Sequence, residues 1–129
     1  MEIYYEAIKH GRYECFLNES TALPLLFMPD AIQATINLME ADRSSLTIHS
    51  SYNLGGMSVT PEEMFIEIRK HIPEFTISYN PDFRQAIADT WPHSVDDSIS
   101  RVDWGFEQTY DLEKMTGIML KEIRKKLKT

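Results

Sequence analysis

Arg84, Asp89 and Trp91 fall within the eleven-residue stretch Asp82–Pro92. An arginine can hold a carboxylate or phosphate through two parallel hydrogen bonds, and a tryptophan supplies a rigid apolar wall. Arg84 and Trp91 are therefore the candidate substrate contacts, with Asp89 as a supporting residue. From spacing alone the favoured reading is the competing one, an Arg84–Asp89 surface ion pair beside a tryptophan packed on the core. Two segments, Tyr5 with Lys9 and Tyr110 with Lys114, have the Tyr-x-x-x-Lys spacing that sets a phenol beside an ammonium on one helix face. The pattern is short and built from common residues, so neither tyrosine is assigned a catalytic role. His10, His49, His71 and His93 lack metal-ligand spacing and read as surface or helix-end residues. Of five glycines, none make a phosphate-cradling turn, and Gly55-Gly56 reads as a bend after a strand. Catalytic, cofactor-binding and metal-binding residues are all expected to be absent from the chain.

The elements that must position these residues follow from periodicity and punctuation. Glu2 to Ile8 has helical spacing and no capping residue before it, as in a piece of a longer chain, and Gly11 supplies a left-handed stop. Tyr13–Leu17 and Leu25–Met28 read as strands, and Asp30 as the cap of a helix with Ile32, Ile36 and Met39 on one face. Ser51–Leu54 reads as another strand. Thr60-Pro61-Glu62-Glu63 is a capping box with proline at the first helical position, opening a helix that buries Met64, Phe65, Ile68 and Ile72. Phe75–Tyr79 alternates as a half-buried strand. Helices follow from Asp97 to Trp104 and from Asp111, the last repeating Leu112, Met115, Met119, Ile123 and Leu127 at helical spacing. Alternation of strands and helices predicts parallel pairing. The strands are too few and scattered for a complete sheet, so unpaired edges and self-association are expected.

Composition bounds the partners. The 129 residues suffice for one domain, and 43% apolar with 26% charged residues is ordinary globular composition. A net charge of −7 argues against nucleic acid, and no apolar run reaches membrane-spanning length. Cys15 is the sole cysteine, which excludes an internal disulfide and fits a reducing cytoplasm. The basic run Lys121–Lys128 complements the negative end of a helix dipole.

Phe27–Ala31, Asn53–Met57, Thr60–Glu63, Arg69–Phe75, Arg84–Pro92, Asp96–Ser98 and Asp103–Gly105 occur in an order that resembles the C-terminal part of the short-chain type of L-threonine 3-dehydrogenases. These are extended short-chain dehydrogenases, alongside nucleotide-sugar epimerases and dehydratases. The resemblance implies an α/β substrate-side portion, residues 1–129, with the Rossmann core and N-terminal dinucleotide-binding half outside it. It implies oxidation of L-threonine to 2-amino-3-ketobutyrate with NAD, the glycine-rich turn and catalytic Ser/Thr, Tyr and Lys all preceding the matched region. Arg84 sits where related nucleotide-sugar enzymes bind a substrate phosphate, so in a threonine enzyme its role shifts to steering a carboxylate or fixing the segment. Asp30 reads as a helix cap close to the site. The alternatives are a nucleotide-sugar epimerase or dehydratase fragment, and a free-standing binding or regulatory module from a truncated gene.

Overall fold

The computed structural model describes residues 1–128. Six α-helices and four short strands follow in the order α1 (Glu2–His10), β1 (Arg12–Cys15), β2 (Leu23–Leu25), α2 (Met28–Glu40), β3 (Met57–Val59), α3 (Pro61–Arg69), β4 (Thr76–Tyr79), α4 (Phe83–Ala88), α5 (Ser98–Trp104) and α6 (Leu112–Lys128). The strands make two two-stranded sheets. β1 pairs parallel with β4, Arg12 opposite Thr76 and Cys15 opposite Tyr79, while β2 pairs antiparallel with β3. The fold is mixed α/β without a full dinucleotide-binding sheet among the described residues.

Burial of apolar helix faces builds the main core. Ile3, Tyr4 and Ala7 of α1 meet Met115, Leu120 and Ile123 of α6, with Ile68 of α3 and Phe75 alongside. Tyr4 and Thr116 are fully buried, and the Tyr4 phenol shares a 2.9 Å hydrogen bond with Thr116 Oγ1, so the two hydroxyls satisfy each other at this seam. Gly11 takes φ 64° and ends α1 as a left-handed cap, turning the chain into β1. Thr60 and Glu63 form the reciprocal capping box of α3. A smaller cluster of Cys15, Leu17 and Ala88 ties β1 to α4.

Several sequence expectations shift. β1 begins one residue earlier and ends two earlier than Tyr13–Leu17. The second strand is Leu23–Leu25 rather than Leu25–Met28, because Phe27 is the extended residue before α2 and Met28-Pro29 form its first turn. Asp30 is therefore inside the helix, not its cap. Ser51–Leu54 forms no strand among the described residues; a strand needs a ladder partner, and no described segment pairs with it. The six-residue α4 was not read from the sequence, being too short to show a periodicity. Pairing is parallel in one sheet only. Leu127, the last residue of the α6 repeat, is 42% exposed as the helix runs beyond the core.

Candidate substrate-side site

α4 brings the proposed contacts together. Asp82 caps the helix by accepting from the Arg84 amide at 2.8 Å, and the same carboxylate accepts from Arg84 Nε at 3.0 Å and Nη2 at 2.6 Å. The guanidinium carbon of Arg84 lies over the Phe16 ring, 3.4 Å from its centroid. Arg84 hydrogen bonding holds the Asp82 carboxyl below the usual carboxylate range, and the same bond raises the Arg84 pKa. One side of the fork is thus occupied and one ring face is covered. Nη1 makes no hydrogen bond among the described residues.

Arg84 and Trp91 line one shallow apolar hollow of about 170 Å³, with Phe16, Leu23 and Ile87 as further walls. Arg84 also borders a larger cavity of about 340 Å³ between the two sheets, walled by Leu25, Val59 and Met64 and edged by Glu2 and Tyr13. Burial raises the Tyr13 phenol pKa and, in the same wall, the Cys15 thiol pKa. Trp91 is 55% exposed, so it is not the core tryptophan of the competing reading.

The expected Arg84–Asp89 pair does not form. Five residues along a helix turn the side chain about 140° away, and Asp89 instead accepts from Gln85 Nε2 at 2.6 Å. Gln85 Oε1 in turn accepts from the Asn18 amide at 2.7 Å. Asp89 thus steadies the loop after β1 through Gln85, one step removed from the hollow. Asp30 lines neither cavity. It is 3% exposed and accepts from the Thr109 amide at 3.0 Å and the Tyr110 amide at 2.9 Å, fastening the turn before α6 to α2.

The remaining motifs take structural places. Lys9 lies 5.8 Å from the centroid of the Tyr5 ring, and Lys114 donates to the Thr109 carbonyl while Tyr110 sets its ring edge-on to Phe27. Neither tyrosine borders the cavities beside Arg84. A Cβ on Gly56 would collide with the Leu25 carbonyl, and one on Gly55 would come within 2.5 Å of Asp97 Oδ2. The pair is a close backbone approach to β2 and α5 rather than a phosphate cradle. No group of three or more His, Cys, Asp or Glu residues is placed to hold a metal among the described residues, and no described helix is long and apolar enough to cross a membrane. Phe16 and Asp82, which hold Arg84 most closely, were missed as site residues. Asp82 at the end of a strand-loop, two residues before Arg84, was a readable helix-cap signal.

Two half-buried carboxylates, Asp103 and Asp97, brace the region between Thr47 and Phe106. Asp103 accepts from Thr47 Oγ1 at 2.6 Å and Tyr52 Oη at 2.7 Å, and Asp97 grips Arg101 through two bonds of 2.8 and 3.0 Å. Hydrogen bonding holds the pKa of each below the usual carboxylate range, through Thr47 first for Asp103 and Arg101 first for Asp97. A depressed folded pKa stabilises the fold above the unfolded value and loses that contribution as pH falls through the folded one. The melting temperature should stay flat from about pH 8 to 5 and fall below about pH 4. Asp97→Asn should flatten part of that acid slope in a pH series of thermal melts, and an unchanged slope would remove Asp97 from the account.

No protein-family model matches the chain. It is 48% identical over 127 residues to an uncharacterised epimerase/dehydratase of Staphylococcus haemolyticus, covering 98% of the chain and 40% of that protein. It is 46% identical over 121 residues to the mitochondrial L-threonine 3-dehydrogenase of Bos taurus, covering 93% of the chain and 32% of that protein. Among solved structures, the L-threonine dehydrogenase of Phytophthora infestans superposes with a TM-score of 0.93 at 47% identity, over 97% of this chain and 40% of its own. A monomeric L-threonine 3-dehydrogenase from metagenome data gives 0.90 at 49% identity, over 96% of this chain and 40% of its own. The resemblance first seen in Phe27–Ala31 and Arg84–Pro92 therefore runs nearly end to end. The chain spans about 40% of the length of such relatives.

Proposed function

We propose that this chain is the C-terminal, substrate-side portion of an NAD-dependent L-threonine 3-dehydrogenase, which oxidises the hydroxyl carbon of L-threonine to give 2-amino-3-ketobutyrate. The near end-to-end match to L-threonine dehydrogenases of known structure carries the reading. In that role Arg84 presents the free edge of its guanidinium to the substrate carboxylate, while Asp82 and Phe16 hold it in place. Trp91 and Ile87 form the apolar side of the pocket and exclude water.

The residues present do not fit NAD. Gly55 and Gly56 are packed against Asp97 and β2, and no other glycine pair opens a helix after a strand. Hydride transfer and the proton abstraction that accompanies it belong to the remainder of a longer polypeptide. In a monomeric L-threonine 3-dehydrogenase the matched portion is 40% of a single chain, which supports reading both portions as parts of one polypeptide. Cys15, buried and free, suits a reducing compartment, and we place the protein in the cytoplasm.

A second reading, a nucleotide-sugar epimerase or dehydratase, is favoured by the Staphylococcus haemolyticus relative. Arg84 is the one cation among the described residues that line the hollow, which is meagre for a diphosphate. Exchanging this chain for the matching 40% of the Phytophthora infestans enzyme separates the two. The chimera should reduce NAD with L-threonine at a kcat/KM within about tenfold of the parent. A folded, NAD-binding chimera that leaves L-threonine untouched would sink the reading.

A further inference from the structure

The later half of α6 is segregated in charge as well as in hydropathy. Leu120 and Ile123 are buried in the core, and the flank beside them carries Lys121, Arg124, Lys125 and Lys128 within an arc of about 100°. This flank and His71, on the turn after α3, wall an open hollow of about 420 Å³. Among the described residues no carboxylate lines it, although the chain carries a net charge of −7. Lys125 has Glu122 at 3.8 Å, and no described carboxylate pairs with Lys121, Arg124 or Lys128. The helix dipole accounts for cations in the last turn. Lys121 and Arg124 lie before that turn, and a dipole does not gather cations onto one side. The floor of the hollow is Gly117, on the same flank one turn before Lys121. Beyond the helix itself, a Cβ there would meet His71 Cε1 at 4.0 Å, an ordinary contact. Neither a close backbone approach nor a left-handed conformation requires this glycine, and a helix interior prefers alanine. Its effect is to leave room between α6 and His71.

From the charge and the glycine together we infer that this flank of α6 is a binding site for a linear phosphate chain, such as that of a nucleoside triphosphate. Lys121 and Lys128 are about 10 Å apart along the helix axis, so the cations form a row rather than a point. A lone carboxylate or orthophosphate meets one or two of them, whereas linked phosphates set an anionic group beside each in turn. NAD, with two singly charged phosphates capped at both ends, does not span the row. Lysine ammoniums and the fork of Arg124 are suitable donors to phosphate oxygens. Gly117 and His71 take the end of the chain, where the α6 backbone can be approached closely. A long nucleic acid is disfavoured, because the acidic remainder of the surface repels a polyanion that outruns the row. The hollow is in place before a ligand arrives. Ile68 of α3 packs with Leu120 and Ile123 of α6, and the His71 amide donates to the Ile68 carbonyl at 3.0 Å. None of the residues lining it lines the hollow of Arg84 and Trp91.

The test is calorimetric titration of sodium tripolyphosphate into the purified protein at low ionic strength. One equivalent should bind with a dissociation constant of about 100 μM or tighter, and more weakly at about 0.2 M salt, where exposed cations are screened. Lys121→Gln and Arg124→Gln, made together, should weaken binding at least about tenfold, with circular dichroism showing the helices intact. Gly117→Ala separates a built hollow from a merely basic surface. It should weaken binding at least about threefold and raise the melting temperature by about 2–5 °C, since alanine suits the helix and fills the floor. ATP distinguishes the sources of the phosphate chain. Affinity equal to that of tripolyphosphate supports a site for the chain alone, and tighter binding supports a site for a nucleotide. Absence of saturable binding at about millimolar tripolyphosphate overturns the inference. So does equal affinity for orthophosphate, and so does an affinity unchanged in Gly117→Ala or in the paired glutamine variant.

Discussion

Arg84→Ala, in a full-length dehydrogenase carrying this chain, is expected to lower kcat/KM for L-threonine about 30-fold while the NAD dissociation constant moves less than about twofold. The loss is set well below that of a fully buried charge-assisted pair, because the Arg84 side chain is 45% exposed and water screens part of the contact. The geometry also says why lysine cannot substitute. Arg84 uses its plane on Phe16 and its fork on Asp82 at the same time. An ammonium offers neither a plane nor a fork, so Arg84→Lys should recover little of the loss. Trp91→Ala should act in the same direction by opening the apolar side of the hollow. Thermal melts of both variants separate a lost contact from a lost fold. By contrast, Tyr5→Phe and Tyr110→Phe should keep most activity, since each ring is used for packing and neither borders the hollow. Steady-state kinetics in which Tyr5→Phe abolishes turnover and Arg84→Ala does not would place the chemistry elsewhere.

Asp30→Ala is expected to cost about 2–5 kcal/mol of stability, a large part of what a domain of this size has. The carboxylate is buried, and each oxygen takes one backbone N–H, from Thr109 and from Tyr110. Alanine leaves two part-buried donors without their partner, at about 1–3 kcal/mol each. Asp30→Asn retains one accepting oxygen and should lose about half as much. The position near the start of α2 adds the helix dipole, which favours a negative charge there. Chemical denaturation of the three proteins is the check. A loss below about 0.5 kcal/mol for Asp30→Ala, the size of an ordinary surface change, would mean the two bonds are not the fastening they are taken to be.

What was legible in the sequence was whatever is decided within a few residues. Gly11 stops α1, Thr60 to Glu63 caps α3, and the spacing of Met115, Met119 and Ile123 makes α6 amphipathic; each is a local signal and each stands in the structure. What was illegible depends on distant partners. Asp30 reads as a cap because an aspartate before an apolar helical run normally is one. Its partners are 79 and 80 residues away, and no local pattern reveals them. The apolar stripe of α2 is plain in the sequence, but periodicity says which residues share a face and not what that face meets. Ser51–Leu54 has strand-like composition without a described partner, so its conformation follows from pairing rather than propensity. At the site, Arg84 and Trp91 line one hollow. The Arg84 partner is Asp82 rather than Asp89, because a helix begins between them at a point the sequence did not mark by periodicity.

The central claim is that these 129 residues shape the substrate side of a dehydrogenase and hold none of its cofactor chemistry. Titration of NAD into the purified chain by calorimetry tests it most directly. No saturable binding is expected up to about millimolar NAD, because no turn among the described residues offers helix-end amides and glycines to a pyrophosphate. A dissociation constant of about 10 μM or tighter, equivalent to roughly 7 kcal/mol of binding, would contradict it.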